Sequence, residues 1–390
     1  MSITPNKKNI NSTETNVAPV FHVTAIRDKE PIFVPFKELD WANLQVYNPS
    51  VVKLGEQFHM FVRAKGTKDE QSRLGYAISD DGIHFSLDNK PFLERDLQDP
   101  AETIGVEDAR FTVMEDGPVN IDGQDYSIFG SYTGARKWRA QIKLLGVSKD
   151  LQNISRRFTM LPHWDRDKAP EDRDLWNRDA TGRNIIFPGV QWDQETPDWT
   201  KAAGIFPRKI DGKYTALWGE YKIRLAQSKD GEHWTSAENP VLEQRQGKFD
   251  SAYVEMGPAP MLTEDGWLII YNGVNSLEQK GRKYGIGWAI LDKNDPAKVI
   301  ARCEEPVLLP EMPDEMSGRI DIANIHGKTA SELTPDEFEK YKDQLPMAVF
   351  CNGAVKLNRD KDGNDQFALF YGAGDKITKR AVITLKVIHR

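Results

Sequence analysis

Acidic side chains stand in this sequence at points where a strand is about to begin or has just ended. The run Gly105-Val106-Glu107-Asp108-Ala109-Arg110 sets two carboxylates and a guanidinium side by side. Glu255 interrupts an otherwise apolar stretch, AYVEMGPAP, and Glu220 closes the aromatic run of LWGEYKIR. Asp375 follows the glycines of FYGAGD. A carboxylate that loses hydration in a concave site rises in pKa and becomes a general acid, and two carboxylates in unlike surroundings can divide acid and base work. Residue types alone leave plainer readings open. Glu107 to Arg110 also suits a strand-entry turn with a solvated ion pair, Glu220 and Glu255 suit surface strand ends, and Asp375 suits a turn.

Other chemistries find no support. There is no GxxxxGK[ST], no HExxH, and no GxSxG between a strand and a helix. The two cysteines, Cys303 and Cys351, form no CxxC, and the seven histidines show no ligand spacing, so neither a metal nor a cofactor is expected. The 52 basic and 59 acidic residues leave a net charge of −7, against a general nucleic-acid partner. No apolar run approaches the ~18 residues of a membrane span. The opening MSITPNKKNINSTETNV lacks an apolar core, which reads as a cytoplasmic chain without a signal peptide. The basic cluster Lys280 to Lys283 reads as a solvated loop.

The elements that must position these acids repeat along the chain. Five segments share one pattern of apolar strand, polar turn and aromatic-rich strand: NPSVVKLGEQFHMFVRA from Asn48, EDARFTVMEDG from Glu107 resuming at DYSIFGSYTG, FPRKIDGKYTALWGEY from Phe206, GPAPMLTEDGWLIIYNG from Gly257 and NGAVKLNRDKDGNDQFALFYGAGD from Asn352. Each is a hairpin signal. Further strands follow several of them, in RLGYAISDDGIHF, KLLGVSKDLQN, IRLAQSKDGEHW and YGIGWAILD. Repeated four-strand units without intervening helices point to an all-β fold, a five-bladed β-propeller; a two-sheet sandwich with an appendage is the alternative. In a propeller the innermost strands line a central channel, and the repeats would bring Asn48, Glu107, Asp108, Arg110, Arg208, Glu255 and Asn352 there.

Two insertions break the pattern. Residues 162–199 are rich in Asp, Arg and Trp; a loop of that length is usually functional, and Trp164, Trp176, Trp192 and Trp199 in it could stack on sugar rings. Residues 326–346 carry one helix signature, with Thr334 as N-cap, Pro335 at the first position and Glu337 completing a capping box. Residues 1–20 read as a flexible arm, available to a homo-oligomer interface, and 21–390 as a single domain.

Taken together, NPSVVKLGEQFHMFVRA, SRLGYAISDDGIHF, GVEDARFT, FPRKIDGKY, GPAPMLTEDGWLIIYNGV, LDKNDPAKVIAR, NGAVKL and FYGAGD resemble glycoside hydrolase family 130 in order and spacing, over about residues 40–390. The resemblance implies a five-bladed propeller acting on β-mannosides with inversion, either as a phosphorylase using inorganic phosphate as co-substrate or as a hydrolase of β-1,2-linked mannosides. It further implies that Asp108 is the catalytic Asp of the GVED motif and that Asn48 and Arg63 bind the mannose. Asp375 then contacts the sugar or phosphate region, and Lys201 matches a lysine shortly before the third-repeat motif; Glu107, adjacent to Asp108 in the sequence, is a further substrate-binding candidate.

The departures from the family bear on the reaction. Where phosphorylases of the family carry a His-Arg pair, this chain reads Trp218-Gly219-Glu220-Tyr221, and Glu255 replaces a small residue. Where they carry an Arg before the second SKD turn, it reads Gln141-Ile142-Lys143-Leu144, with Arg139 near. Acids therefore stand where phosphate would bind. A carboxylate repels phosphate and can deprotonate water, so the expectation is an inverting β-mannosidase, with Glu220 and Glu255 activating water and assisting proton delivery. The alternative is a phosphorylase with Asp108 as acid and Lys201, Arg139 and Arg208 holding phosphate. A non-catalytic sugar-binding propeller is the reading from another class.

Overall fold

Alternating and wholly apolar runs become antiparallel strands along the whole chain. The computed structural model describes residues 19–69, 71–136, 139–162, 200–276, 281–316 and 332–389, the side chain of Arg139 excepted. The four tryptophans of the long insertion and the first eighteen residues lie outside this range.

In chain order the strands are β1 (Val20–Arg27), β2 (Gln45–Leu54), β3 (Gln57–Lys65), β4 (Ser72–Ser79), β5 (Ser86–Leu93), β6 (Gly105–Val113), β7 (Val119–Ile121), β8 (Gln124–Tyr126), β9 (Ile128–Arg136), β10 (Arg139–Val147), β11 (Phe158–Thr159), β12 (Ala203–Ile205), β13 (Tyr214–Trp218), β14 (Ile223–Ser228), β15 (Trp234–Leu242), β16 (Tyr253–Met256), β17 (Met261–Leu262), β18 (Trp267–Val274), β19 (Lys283–Leu291), β20 (Val299–Arg302), β21 (Met347–Lys356), β22 (Asp365–Ala373) and β23 (Ile377–Ile388). They pair into five successive antiparallel groups. The first is β2-β3-β4-β5 and the second β6-β9-β10-β11. The third is β12-β13-β14-β15 and the fourth β16 and β17 with β18-β19-β20. In the fifth, β21-β22-β23 is completed by β1, which pairs with β23 over its whole length from Val20↔Ile388 to Arg27↔Ala381. The sequence does not predict this pairing of the N-terminal strand with the C-terminal one.

The expectation of an all-β chain holds. Hydrogen bonding does not, however, separate five sheets: it merges the groups into sheets of nine, eight and four strands plus the β7–β8 hairpin. The mergers rest on short parallel pairings at Ser72↔Gly105 and at Lys283↔Met347. The first strands of the groups pack on one another: β2 lies against β21 and β6, and β12 lies against β6. An isolated bridge, Glu220↔Glu255, joins the third group to the fourth.

Burial follows position within each group. β18 (WLIIYNGV) is buried at every residue, as a strand covered on both faces must be. Fourth strands such as β5 (SLDNKPFL) and β15 (WTSAENPVL) are largely exposed and carry Lys90, Pro91 and Pro240, which discourage further pairing at an edge. The recurring Ser-x-Asp turn is one structure used twice over: Asp81 Oδ1 accepts from the backbones of Ile83 and His84, and Asp230 Oδ1 from those of Glu232 and His233. The one α-helix among the described residues, α1 (Pro335–Tyr341), has the expected Thr334–Glu337 capping box. Its Phe338 packs with Leu345 and Met347 and so fixes where β21 begins.

Candidate active site

The sequence repeats begin at residues the backbone treats alike. β2 shifts register between Tyr47 and Ser50, β6 between Glu107 and Arg110, and β21 between Cys351 and Gly353. At the first two bulges Asn48 and Asp108 both adopt φ of 50°, and Asp375 has φ of 55°. Left-handed backbone is costly for non-glycine residues and concentrates at functional sites. Here the bulges turn Asn48 and Asp108 toward each other, and the Asn48 Nδ2 donates to Asp108 Oδ1 at 2.9 Å.

Arg63 on β3 ties this corner together. Its Nη1 donates to Asp108 Oδ1 at 3.0 Å, its Nη2 to Glu107 Oε1, and its Nε to Ser72 Oγ at 2.8 Å. Its guanidinium lies 4.8 Å from the centre of the Tyr47 ring. Close behind, the fully buried Arg110 donates to the carbonyls of Asp108, Met256 and Gly257, and to Glu255 Oε1 at 3.3 Å. Arg110 thus holds the second group to the fourth, and with it Asp108 to Glu255.

Lys201 stands between three carboxylates. Its Nζ lies 4.0 Å from Asp108 Oδ2, 3.9 Å from Glu220 Oε1 and 3.8 Å from Glu255 Oε1. Because all three oxygens lie within 4.0 Å of one nitrogen, no two are farther apart than about 8 Å, inside the ~6.5–9.5 Å window of an inverting pair only at its near end. Burial works against the Lys201 ammonium, but Glu255, Glu220, Asp108 and Glu107 outweigh it and hold its pKa above the ordinary value.

The carboxylates are not equivalent. Burial raises Asp108, yet Arg63, Lys201, Arg110 and Asn48 together drive it well below the usual carboxylate range, so it stays ionised. Burial, opposed by Lys201 and reinforced by Glu220, pushes Glu255 up to about 7 from 4.5. Glu255 and Asp108 are almost inaccessible, with 1% and 2% of the side chain exposed; Glu220, at 10%, is the most open of the three.

These groups face a cavity of about 300 Å³, the lower end of the usual size for a small-molecule site. Asn48, Arg63, Glu107, Asp108, Lys201, Glu255 and Asp375 all line it. Asp375 is half-buried, and its carbonyl accepts from Gln45 Nε2 at 2.8 Å. Glu220 reaches the Lys201 ammonium from beside Glu255, across the Glu220↔Glu255 bridge. The residues named for catalysis and substrate binding therefore gather around this cavity, whereas Asn352, expected in the same channel, lines a separate cavity together with Arg208.

Two neighbouring expectations fail. Arg208 is not at the site: it pairs with exposed Glu115. The third group's first strand is Ala203–Ile205 rather than a strand from Phe206, so the repeat alignment was displaced there. The cluster Lys280 to Lys283 is not simply a solvated loop, because Arg282 lines the cavity. The side chain of Arg139, the other cation considered for phosphate, lies outside the described residues, and Lys143, in the stretch that departs from the family, pairs with Asp99 at 2.5 Å.

Sequence reasoning also missed the aromatic wall. Tyr253, Tyr284 and Phe350 pack in series, with centroid distances of 5.6 and 5.9 Å, and Tyr284 and Phe350 line the cavity. Only YGIGWAILD hinted at it, as a repeat strand. Gly372 offers a direct test of the Asn48 corner. A Cβ there would meet Asn48 Oδ1 at 2.1 Å. Gly372→Ala is therefore expected to displace Asn48 from Asp108 and to lower kcat/KM by roughly 10- to 100-fold, the worth of a charge-assisted hydrogen bond; steady-state kinetics check it.

Residues 34–323 match a family model for glycoside hydrolase family 130, described as β-1,4-mannooligosaccharide phosphorylase. The chain is 29% identical to a β-1,2-mannobiose phosphorylase of Thermoanaerobacter sp. (strain X514), over 93% of this chain and 98% of that protein. It is likewise 29% identical to a 1,2-β-oligomannan phosphorylase of the same strain, over 92% and 96%. Among solved structures, one reported for family 130 hydrolases that target β-1,2 mannosidic linkages in Candida mannan superimposes with a TM-score of 0.67 at 24% identity, covering 92% of this chain and 93% of that one; at that identity it speaks to the fold.

Proposed function

The chain belongs to glycoside hydrolase family 130, and from that premise we propose that it is an inverting β-mannosidase acting on short, β-1,2-linked manno-oligosaccharides. The observation that carries this reading is the Lys201 ammonium surrounded by Asp108, Glu220 and Glu255. Three carboxylates around the Lys201 ammonium leave little positive potential there for a phosphate dianion.

In this reading Asn48, Arg63, Glu107 and the permanently ionised Asp108 hold the non-reducing mannose, with Asp375 at its rim. Glu255, the acid whose burial keeps a proton near neutral pH, gives that proton to the glycosidic oxygen as the C1–O bond breaks. Glu220, the more accessible carboxylate, takes a proton from the water that attacks C1 from the opposite face. The products are mannose of inverted configuration and the shortened sugar. This ordering departs from the family's assignment of the acid to the GVED aspartate, because Arg63 and Lys201 hold Asp108 deprotonated. The five strand groups support reading residues 21–390 as one five-bladed propeller whose first strands surround the site.

Phosphorolysis is the second reading, and the relatives' names favour it over hydrolysis. Incubation with β-1,2-mannobiose, with and without inorganic phosphate, separates the two. Mannose alone in both samples is expected. Phosphate-dependent mannose 1-phosphate would replace hydrolysis by phosphorolysis, and binding without any product would leave a sugar-binding protein.

A further inference from the structure

Of the cations that line the cavity, Arg282 differs from Arg63 and Lys201, which are committed to carboxylates. Its Nη2 donates to the hydroxyls of Tyr253 and Tyr284, each at 2.9 Å. Its guanidinium lies 4.9 Å from the Tyr284 ring centre. Its Nε is buried without an acceptor, and no described carboxylate pairs with it. A guanidinium held in place by neutral groups keeps its charge and much of its planar fork available to an incoming anion.

Its place in the site is set by Tyr253. Tyr253 and Glu255 are two apart on β16, so their side chains leave the same face of the strand. Arg282 therefore lies at the Glu255 end of the cavity, while Asn48 and Arg63 form the Asp108 end. If Glu255 protonates the departing oxygen, the departing unit lies toward Arg282.

We infer that Arg282 forms an anion-recognising subsite for the leaving unit, and that the preferred substrates are β-mannosides whose leaving unit carries a carboxylate, as in a uronic or aldonic acid. This inference rests on the catalytic reading above for its orientation. Tyr284 and Phe350 supply the apolar wall against which that unit packs, and Arg282 supplies the charge.

The test compares β-mannosyl uronate with neutral β-1,2-mannobiose, using the native protein and Arg282→Gln. The native protein is expected to show a kcat/KM roughly 10- to 100-fold higher for the uronate. Arg282→Gln should abolish that advantage, bringing the ratio of kcat/KM for the uronate to kcat/KM for the neutral substrate down to about one. Equal kcat/KM for the two substrates in the native protein, or equal losses on both in the variant, overturns the proposal. Calorimetric binding of the uronate disaccharide and of inorganic phosphate is read in parallel. Uronate binding that weakens in Arg282→Gln without any turnover keeps the subsite and overturns the catalytic reading. Phosphate binding that depends on Arg282, with mannose 1-phosphate as product, assigns the arginine to the co-substrate and overturns the uronate proposal.

Discussion

Glu255→Gln is expected to lower kcat by roughly 10²- to 10⁴-fold, the usual worth of general acid–base catalysis, without destabilising the protein at alkaline pH. The two halves of that result have one cause. Glu255 is almost wholly buried beside Asp108 and Glu220, and its pKa rises to about 7 from 4.5. The folded protein therefore binds this proton more tightly than the unfolded chain. Between pH 4.5 and about 7 the stability that Glu255 contributes falls as pH rises, and above that range the fold carries an unfavourable buried anion. Glutamine keeps the shape and an oxygen for Arg110 but carries no charge. The variant should melt at or above the native temperature at pH 8, with the advantage shrinking toward pH 5. In the native protein kcat should fall as pH rises through about 7, because the donor loses its proton. A variant that unfolds early at pH 8 would make Glu255 a structural partner of Arg110, and a rate that rises through the same pH would make it the base.

Lys201→Met should have the largest effect on stability. It removes the one cation shared by Asp108, Glu220 and Glu255, each about 4 Å away. Breaking a buried ion pair from one side costs up to about 3–5 kcal/mol, and here Asp108 and Glu255 would keep, among the described residues, only Arg63 and Arg110 as cationic partners. The loss should be greatest at pH 8 and recover as pH falls toward 5. Without the ammonium the carboxyls take up protons at higher pH in the folded state, and proton uptake then favours folding. Lys201 also opposes the rise of the Glu255 pKa, so any residual activity should extend to higher pH than in the native protein. Melting temperatures and pH–rate profiles from pH 5 to 8 check both claims. A loss of stability independent of pH would mean that Lys201 acts through packing, and that the carboxylates are neutralised by other groups.

The sequence by itself determined the local elements. Period-2 apolar runs with Gly, Asp and Asn at the turns specify hairpins without help from distant residues, and the Ser-x-Asp turns close through hydrogen bonds two and three residues away. The capping box of Thr334 and Glu337 is equally local. Motif order then pointed to the family and to the acids that now surround one cavity. Where the reading slipped, the information was not local. Arg208 was aligned by its neighbours in sequence, but the third group's first strand begins before Phe206, and only pairing of Ala203–Ile205 with β13 reveals it. Arg282 sits in a stretch whose composition resembles any solvated loop, and its role follows from Tyr253 and Tyr284 reaching it. The unequal protonation of Asp108 and Glu255 was likewise undetermined by residue type. It depends on Arg63 and Asn48 bonding Asp108, while burial and the neighbouring Glu220 raise Glu255 despite Lys201. Desolvation and charge act through space over a few ångströms, and only the tertiary structure sets which groups share that space.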